Sequence, residues 1–288
     1  MLAGKTVGQK LHPANLCLEV QYVARRLRGG SQSRLVRCTD GNLHVLKMNG
    51  NPQGPNVLAN EALGSYLLRG LGLSVPRTVP IYLSASAIAQ HDLFFETPLG
   101  RNRAKAGWHL AIEFVNTKEQ ALFAWVPASY RSKFINLTDL LAIYIFDVWT
   151  SHQDERQCVF EHDPITRSYR VWPIDNGHLF GGPQWKNLDT GPRGATSVHV
   201  VAPETMDFGV HRCFTQFRKY LPQLLEAGLE SIPEQWYKGD LAALKSCLLS
   251  RLENLGHLVA HDISDQRRKL HGWSHETSPV HHPRLLQR

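Results

Sequence analysis

The chain has 288 residues, of which 42% are hydrophobic and 20% charged, and its formal net charge is +7. This apolar content is enough to bury a core and excludes a disordered or fibrous protein. No stretch reaches the ~20 apolar residues that cross a bilayer, and the first residues lack the pattern of a signal peptide. Because the five cysteines are also widely spaced, we expect a cytoplasmic protein in a reducing compartment, with no membrane partner.

The positive charge is concentrated at the C-terminal end. Residues 267–288 carry +4 of the net +7 and show no apolar period, so we predict a flexible basic tail. A basic face on the folded part of the chain is not indicated, and nucleic acid is not the expected partner. Nucleic-acid binding through the tail alone stays open as an alternative.

The first third of the chain has the pattern of strands broken by turns. Alternating polarity predicts a strand over residues 18–24, and strands over 35–38 and 43–48 flank the Asp-Gly turn at 40–41. Apolar residues on one face, followed by glycine, predict a helix over 57–71. Further strands are predicted at 79–83 and 108–115, with a surface insertion between them at 84–105.

The remaining chain is predicted to be mainly helical. Residues 134–149 are apolar on nearly every face, which indicates a helix buried on all sides. Two short strands around 159–160 and 169–174 precede helices over 210–225 and 240–260. Strands followed by helices favour an α+β fold with two lobes. We expect a small β-rich N-lobe over 1–116, a larger helical C-lobe over 117–266, and the tail over 267–288.

Two features of the N-lobe suggest phosphate binding. The loop formed by Gly30, Ser31, Gln32 and Ser33 can bring backbone N–H groups and hydroxyls close to an anion, although a plain hairpin turn explains it as well. Lys47 lies in an apolar strand, where its charge needs a partner, and Glu61 on the next helix can supply one. A solvated lysine on the outer face of the sheet is the alternative.

Two features of the C-lobe carry carboxylates. Asp154 and Arg156 follow the buried helix, where a carboxylate can orient or deprotonate a hydroxyl and an arginine can neutralise charge. Asp175 ends an apolar strand and precedes Asn-Gly, a position that suits Mg²⁺, which prefers hard oxygen ligands. A solvated helix end and a simple β-turn are the respective alternatives.

In chain order these features are a glycine loop, a strand lysine, a helix glutamate, a loop aspartate and a strand-end aspartate, as in protein-kinase-like phosphotransferases. The HRD, DFG and APE signatures of eukaryotic kinases are absent from the sequence. The chain resembles the HipA-like kinases, specifically their compact stand-alone members, which are related to phosphatidylinositol kinases. The matching stretches are residues 30–33, 45–47, 51–53, 60–61, 71–76, 146–149, 154–157 and 174–177, with Phe180, Trp185 and residues 232–237.

The resemblance implies a kinase that holds ATP and Mg²⁺ between two lobes and phosphorylates a hydroxyl of an unidentified protein or small molecule. By this resemblance, Lys47, oriented by Glu61, contacts the phosphates, and the loop of Gly30, Ser31, Gln32 and Ser33 covers them. The resemblance also makes Asp154 the catalytic base, with Arg156 beside it, and Asp175 the residue that holds Mg²⁺. The adenine would meet the hinge at 112–115, which includes Glu113 and Val115.

Two positions depart from the family pattern. Related kinases often have Asn two places before the catalytic aspartate and a metal-binding Asn five places after it, where this chain has His152 and Val159. Gln157 is the candidate for a substitute metal ligand through its amide oxygen. The departures leave a second hypothesis open, namely a nucleotide-binding pseudokinase or scaffold module without catalysis.

Overall fold

The structure is a computed structural model that describes residues 18–115, 121–123, 128–192 and 203–273. Its N-terminal part is built on an antiparallel sheet of five strands in the order β1-β2-β3-β7-β4. The elements of this part are β1 (Val20–Arg26), β2 (Arg34–Cys38), β3 (Leu43–Lys47), α1 (Val57–Gly70), β4 (Thr78–Leu83), α2 (Ala85–Gln90), β5 (Phe94–Thr97), β6 (Gly100–Arg103) and β7 (Gly107–Glu113).

Residues 84–105, predicted as a surface insertion, contain regular structure: α2 and the β5–β6 hairpin. Ser84 caps α2 by accepting a hydrogen bond of 3.1 Å from the Ala87 N–H. Apolar side chains of this segment, Ile88, Leu93 and Phe95 among them, pack on the outer face of the sheet. The segment therefore completes a small second core of the N-lobe.

The C-terminal part surrounds one central helix. Its elements are β8 (Ala121–Phe123), α3 (Leu137–Thr150), β9 (Gln157–Asp163), β10 (Ser168–Ile174), α4 (Pro203–Glu230), α5 (Leu241–Glu253) and α6 (Leu255–Trp273). Helix α3 is buried without interruption from Leu140 to Thr150, as its apolar sequence predicted. It packs against α4, α5, α6 and β10, which makes it the rigid base of the loop that follows.

Three C-terminal boundaries differ from the sequence prediction. Helix α4 is longer than expected, because its buried stripe of Phe217, Leu221, Leu225 and Leu229 extends beyond residue 225. The helix predicted over 240–260 is two helices, α5 and α6, separated at Asn254. Helix α6 also continues to Trp273, so the start of the predicted tail is helical, whereas 274–288 lie outside the described residues.

The architecture is an α+β fold with an antiparallel sheet first and helices after it, which confirms the predicted fold class. The larger core joins α1 to the C-terminal helices and includes Leu110 from the inner face of the sheet. The segment between the two parts, 116–127, lies mostly outside the described residues, so the lobe boundary stays a prediction. None of the described helices combines the length and hydrophobicity needed to cross a membrane.

Candidate functional site

The two parts of the fold meet at a cluster of three charged side chains. Lys47 ends β3, Glu61 lies on α1 and Asp175 directly follows β10. The Lys47 Nζ forms a hydrogen-bonded ion pair with Glu61 and lies 2.7 Å from Asp175 Oδ1. The side chains of Lys47 and Glu61 are 6% and 1% exposed, whereas that of Asp175 is 28% exposed. Lys47 is therefore a paired, buried lysine and not a solvated one.

The charges in this cluster stabilise one another. Burial alone would lower the pKa of Lys47, but the charges of Glu61 and Asp175 raise it above its usual value. The charge of Lys47 lowers the pKa of Asp175 far below its usual range, against the effect of burial. Burial raises the pKa of Glu61 to about 6, with Lys47 opposing the shift and Asp175 adding to it. At neutral pH the cluster presents one cation and two carboxylates, and Asp175 is its most accessible member.

The backbone on both sides of Asp175 is held by hydrogen bonds. Asp175 itself has φ +59°, a left-handed conformation that is unfavourable for a residue with a Cβ. On its C-terminal side, the Asn176 N–H donates to Glu61 Oε2 at 3.0 Å. On its N-terminal side, the Ile174 carbonyl accepts a hydrogen bond of 3.0 Å from Arg156. These contacts fix the direction of the Asp175 carboxylate.

Arg156, predicted as a catalytic residue, lies inside the protein. Its guanidinium pairs with the buried carboxylate of Asp147 near the end of α3, with Nε 3.1 and 3.2 Å from the two oxygens. It also donates to Asn176 Oδ1 at 2.8 Å and to the Ile174 carbonyl. Its side chain is 1% exposed. Arg156 therefore braces the backbone around Asp175 from below and does not face the cleft.

Asp154, the predicted base, lies on the exposed part of the loop between α3 and β9. Its Oδ1 accepts a hydrogen bond of 2.8 Å from the neighbouring Glu155 N–H. The loop starts at Ser151, whose φ of +50° turns the chain sharply out of α3. It is tied to the loop after Asp175 by the Gln153 N–H, which donates to the His178 carbonyl at 2.9 Å. The loops that carry Asp154 and Asp175 are thus directly connected.

Gln157 and Val159, the positions considered for a second metal ligand, and His152, the other departure from the family pattern, differ in their surroundings. Gln157 lies beside Asp175, but its amide nitrogen, not its oxygen, faces Asp175 Oδ2 at 3.2 Å. Val159 is an apolar residue on β9 with no ligand atom. His152 is fully buried next to Asp147, and burial, helped by Arg156, lowers its pKa to about 4. Asp175 is therefore the one carboxylate among the proposed metal ligands.

The glycine loop lies between β1 and β2, above a second loop at 49–56. Asn51 donates to the Ser31 carbonyl at 3.1 Å, and a Cβ on Gly30 would approach Gln53 Nε2 to 2.6 Å. The hydroxyls of Ser31 and Ser33 are 3.0 Å apart. The glycine loop thus packs closely on the second loop, with the Gln53 side chain against position 30.

Gln32 braces this loop through its side chain. Its amide exchanges two hydrogen bonds of 2.7 Å with the backbone of Glu96 in β5. The Gln32 amide oxygen, which accepts from the Glu96 N–H, also accepts a hydrogen bond of 2.9 Å from Arg26. These contacts leave the Gln32 side chain directed at β5, so any phosphate contact would come from its backbone.

Apolar side chains lie close in register to Lys47 and to Asp175 in the two parts of the fold. On β9 and β10, Val159 pairs with Trp172, and Ile174 lies on the same face. In the sheet above, Leu35 pairs with Val45 on the face that carries Lys47. None of these five belongs to the two apolar cores of the described residues. Apolar residues outside the cores and next to the charged cluster are of the kind that suits a planar ring.

The end of β7, predicted as the hinge, is fixed between its neighbouring strands. The Glu113 N–H donates to the Arg77 carbonyl at 2.8 Å, and the Phe114 N–H donates to the Leu43 carbonyl at 3.0 Å. The Glu113 side chain is exposed, and Val115 is half-buried at the last described residue before the gap. Their predicted contact with adenine stays a prediction.

The residues around Lys47 fit a nucleotide and its metal. Lys47 is a cation for phosphate oxygens, and Asp175 offers carboxylate oxygens at the cleft. The described residues include no cluster of three or more His, Cys, Asp or Glu side chains suited to a metal. Mg²⁺ in kinase-type sites is held by one or two carboxylates and by substrate phosphates, so a single carboxylate is compatible with it.

The sequence did not assign a role to Asn60, which turns out to be a buried link between the two parts. Its side chain contacts the backbone after Asp175 and the indole of Trp185. The one available signal was a polar residue on the buried stretch of a helix, next to Glu61. Such a residue must find hydrogen-bond partners, but the sequence does not show which ones.

Comparisons with known proteins identify the fold. No protein-family model and no curated protein sequence matches the chain. Among solved structures it is similar to the Golgi casein kinase with Mn/ADP bound, with a TM-score of 0.54 and 14% identity over 83% of this chain and 72% of that one. A second structure of the Golgi casein kinase gives a TM-score of 0.52 and 13% identity over 84% and 72%.

A third solved structure, the Helicobacter pylori proinflammatory kinase CtkA, has a TM-score of 0.46 and 12% identity over 80% of this chain and 89% of that one. The likeness to CtkA is too distant to carry an argument. At 13–14% identity, the likeness to the Golgi casein kinase concerns the fold alone. The chain has a protein-kinase-like fold.

Proposed function

We propose that the protein is an ATP- and Mg²⁺-dependent phosphotransferase of the HipA-like type, which moves the γ-phosphoryl group to a hydroxyl of a protein or small-molecule acceptor. The observation that carries the proposal is the contact of Lys47 with both Glu61 and Asp175 at the junction of the two parts. A buried cation beside a carboxylate at a cleft is the arrangement that nucleotide phosphates and their metal require. The kinase-like fold supports the same reading.

The roles of the residues follow from their surroundings. Lys47, held by Glu61, would bind phosphate oxygens, and Asp175 would hold the metal. Mg²⁺, when bound, would neutralise charge on the phosphates. The apolar side chains around Val45 and Trp172 would enclose the base, with the backbone near Glu113 and Val115 at its edge. The backbone of the Gly30–Ser33 loop would cover the phosphates.

Asp154 would act on the acceptor. Its exposed carboxylate would accept the proton of the attacking hydroxyl. The hydroxyl oxygen would bond to the γ-phosphorus while the bond between that phosphorus and ADP breaks. Most of the rate enhancement would come from positioning the two substrates and stabilising charge. Arg156 would act through Asp175, because it donates to the Ile174 carbonyl before that residue and to the Asn176 side chain after it.

A nucleotide-binding module without catalysis is the second candidate. Two observations favour it: Val159 has no ligand atom where related kinases have a metal-binding Asn, and Gln157 presents an amide nitrogen to Asp175. Such a protein would bind nucleotide without turning it over, and its nucleotide binding would depend little on Mg²⁺.

The experiment measures ATP binding and ATP turnover in parallel for the wild type, Asp154→Ala and Asp175→Ala, with Glu155→Ala as the matched control for loss of an exposed carboxylate. We expect Asp154→Ala to bind ATP normally and to lose turnover by roughly 100-fold or more, the usual contribution of a catalytic base. Asp175→Ala should lose the Mg²⁺-dependent part of binding as well, and Glu155→Ala should behave as the wild type.

Three results would count against the proposal. Unchanged turnover in Asp154→Ala would refute the role of that residue. Tight ATP binding without turnover in the wild type would favour the non-catalytic module. A wild type that does not bind ATP at all would exclude both functions.

A further inference from the structure

Asn60 makes four hydrogen bonds in the interior between the two parts of the fold. Its amide nitrogen donates to the carbonyls of Gly177 and Leu179 at 2.9 Å each, and to that of Gly182 at 3.3 Å. Its amide oxygen accepts from the Trp185 indole N–H at 2.7 Å. The residue is 0% exposed, so no water replaces these partners. A single side chain of α1 thus holds residues 176–185, which we call the post-Asp175 segment.

Asn60 and Glu61 contact the backbone of two consecutive residues, Gly177 and Asn176 respectively. Glu61 accepts from the Asn176 N–H at 3.0 Å, and Asn60 donates to the Gly177 carbonyl at 2.9 Å. Both contacts come directly after Asp175, whose positive φ must be maintained by its surroundings. Neighbouring residues of α1 therefore fix the chain immediately behind the Asp175 carboxylate.

The Trp185 indole determines which way the Asn60 amide points. Because the indole can only donate, it requires the amide oxygen on its side, which directs the amide nitrogen at the three carbonyls. The indole is itself held by Tyr237, with ring centroids 6.0 Å apart and an interplanar angle of 23°. The orientation of Asn60 is thus set by a contact that reaches the connection between α4 and α5.

Small residues allow α1 to approach this closely. Gly64 lies one turn after Asn60, and a Cβ there would overlap the Leu179 side chain and lie 3.0 Å from Asn176 Cβ. Asn176 in turn donates to the Ser65 hydroxyl at 3.1 Å. The helix and the post-Asp175 segment therefore pack as one unit over two helical turns.

We propose that Asn60 is a positioning residue that keeps Asp175 and Glu61 at the spacing at which Lys47 contacts both. The proposal rests on the proposed function and extends it to the regulation of the same site. Since hydrogen bonds join α1 to the post-Asp175 segment, the three charged residues are in place before nucleotide binds. Movement of α1 therefore does not turn the site on or off. Trp185 takes part by orienting the Asn60 amide.

The test uses two variants of the full chain and one control. Asn60→Leu keeps the approximate shape and removes the donors, and Trp185→Phe keeps a ring and removes the indole N–H. Tyr144→Phe is the control, because it also removes one buried ring donor, to Asp262 at 2.7 Å, but between α3 and α6. For each protein we would measure hydrogen exchange of the post-Asp175 segment and the affinity for ADP with and without Mg²⁺.

We expect amides of the post-Asp175 segment to exchange roughly tenfold faster in both variants, as loss of a buried hydrogen bond implies. The factor by which Mg²⁺ strengthens ADP binding should fall about tenfold, while the affinity for ADP alone changes less than about twofold. Tyr144→Phe should match the wild type in both measurements. Loss of Mg²⁺ dependence without loss of ADP binding is a result that general destabilisation does not produce.

Results that would overturn the role of Asn60 differ from those that would refute the proposed function. Faster exchange with an unchanged effect of Mg²⁺ would make Asn60 a structural residue only and would overturn the proposal. Unchanged exchange would overturn it as well. A wild type that binds no ADP under any condition would instead refute the proposed function, and the positioning role of Asn60 with it.

Discussion

Lys47 and Asp175 are 128 positions apart in the chain and form an ion pair of 2.7 Å between Nζ and Oδ1. The contact joins the end of β3 in the sheet to the end of β10 below it. Both residues also depend on Glu61 of α1. Its carboxylate pairs with Lys47, and it accepts a hydrogen bond from the Asn176 N–H, next to Asp175. The charged site and the junction of the two parts are therefore the same set of contacts.

Replacing Lys47 by Met should destabilise the protein in a pH-dependent way. Without the cation, the buried Glu61 carboxylate is left beside the partly exposed carboxylate of Asp175. Breaking a buried ion pair such as Lys47–Glu61 costs about 3–5 kcal/mol. The loss should be largest at pH 7 and smaller at pH 5, because protonation removes the repulsion in the folded state. The measurement is the free energy of unfolding in urea at both pH values.

The control for this prediction is Lys245→Met. Lys245 pairs with Glu226 on the surface, where the side chains are 33% and 53% exposed, so we expect a change below about 1 kcal/mol at either pH. Equal losses for Lys47→Met at pH 7 and pH 5 would contradict the assignment of Lys47 as the cation that neutralises both carboxylates.

Arg156→Met should destabilise the protein by about 3–5 kcal/mol, because it leaves the buried Asp147 carboxylate without its guanidinium partner. The double variant Arg156→Met with Asp147→Leu should recover part of this loss, since it removes the buried carboxylate together with its guanidinium. Denaturant unfolding of the three proteins gives the comparison. A loss below about 1 kcal/mol in Arg156→Met would show that Arg156 is not a structural brace.

Gly64→Ala should separate α1 from the post-Asp175 segment. The new Cβ would overlap Leu179, which is 0% exposed and has no room to move, so we expect a loss of about 1–3 kcal/mol. Gly256→Ala is the matched control in α6, where the nearest atom would be 3.6 Å away. Alanine there should keep or raise the melting temperature, because glycine is unfavourable within helices. Equal behaviour of the two variants would contradict the close packing at Gly64.

The stability of the protein should fall between about pH 6.5 and pH 4 because of His109. Burial lowers the pKa of His109 to about 4. Its Nδ1 accepts a hydrogen bond of 2.9 Å from the Asn49 N–H, which requires the neutral ring. The unfolded chain binds the proton first as the pH falls, so the contribution is complete above pH 6.5 and up to about 3 kcal/mol is lost by pH 4.

A substitution isolates this effect from other acid-sensitive groups, His152 among them. His109→Gln should be less stable at pH 7 and should lose less stability on acidification, whereas the exposed His257→Gln should follow the wild type. Melting temperatures at intervals of pH give both profiles. An identical slope for wild type and His109→Gln would exclude His109 as a source of the pH dependence.

The sequence predicted those features whose physical basis is local. Lys47 in an apolar strand required a partner, and Glu61 on the next helix supplies it. The pattern of 134–149, apolar on nearly every face, predicted a buried helix, which α3 is from Leu137 onward. Ser84 and Gly100 were available signals for α2 and the β5–β6 turn, but the apolar content of 84–105 was too irregular to reveal them.

Features that depend on long-range contacts could not be predicted. The charge of Arg156 indicated a functional residue, yet its partner Asp147 lies on a helix whose burial decides where the arginine points. The amide of Asn60 finds three carbonyls more than 100 positions away, a match that only the packed structure brings about. The break at Asn254 gives two helices, α5 and α6, that both contact α3, and no residue signal in 240–260 indicated it.

The most direct test of the account is incubation of the purified protein with γ-labelled ATP and Mg²⁺, comparing the wild type with Asp175→Ala. The account predicts label on the protein, or released labelled phosphate, that disappears in the variant. Measurable ATP binding with neither label nor hydrolysis in the wild type would contradict a phosphotransferase and leave a nucleotide-binding module.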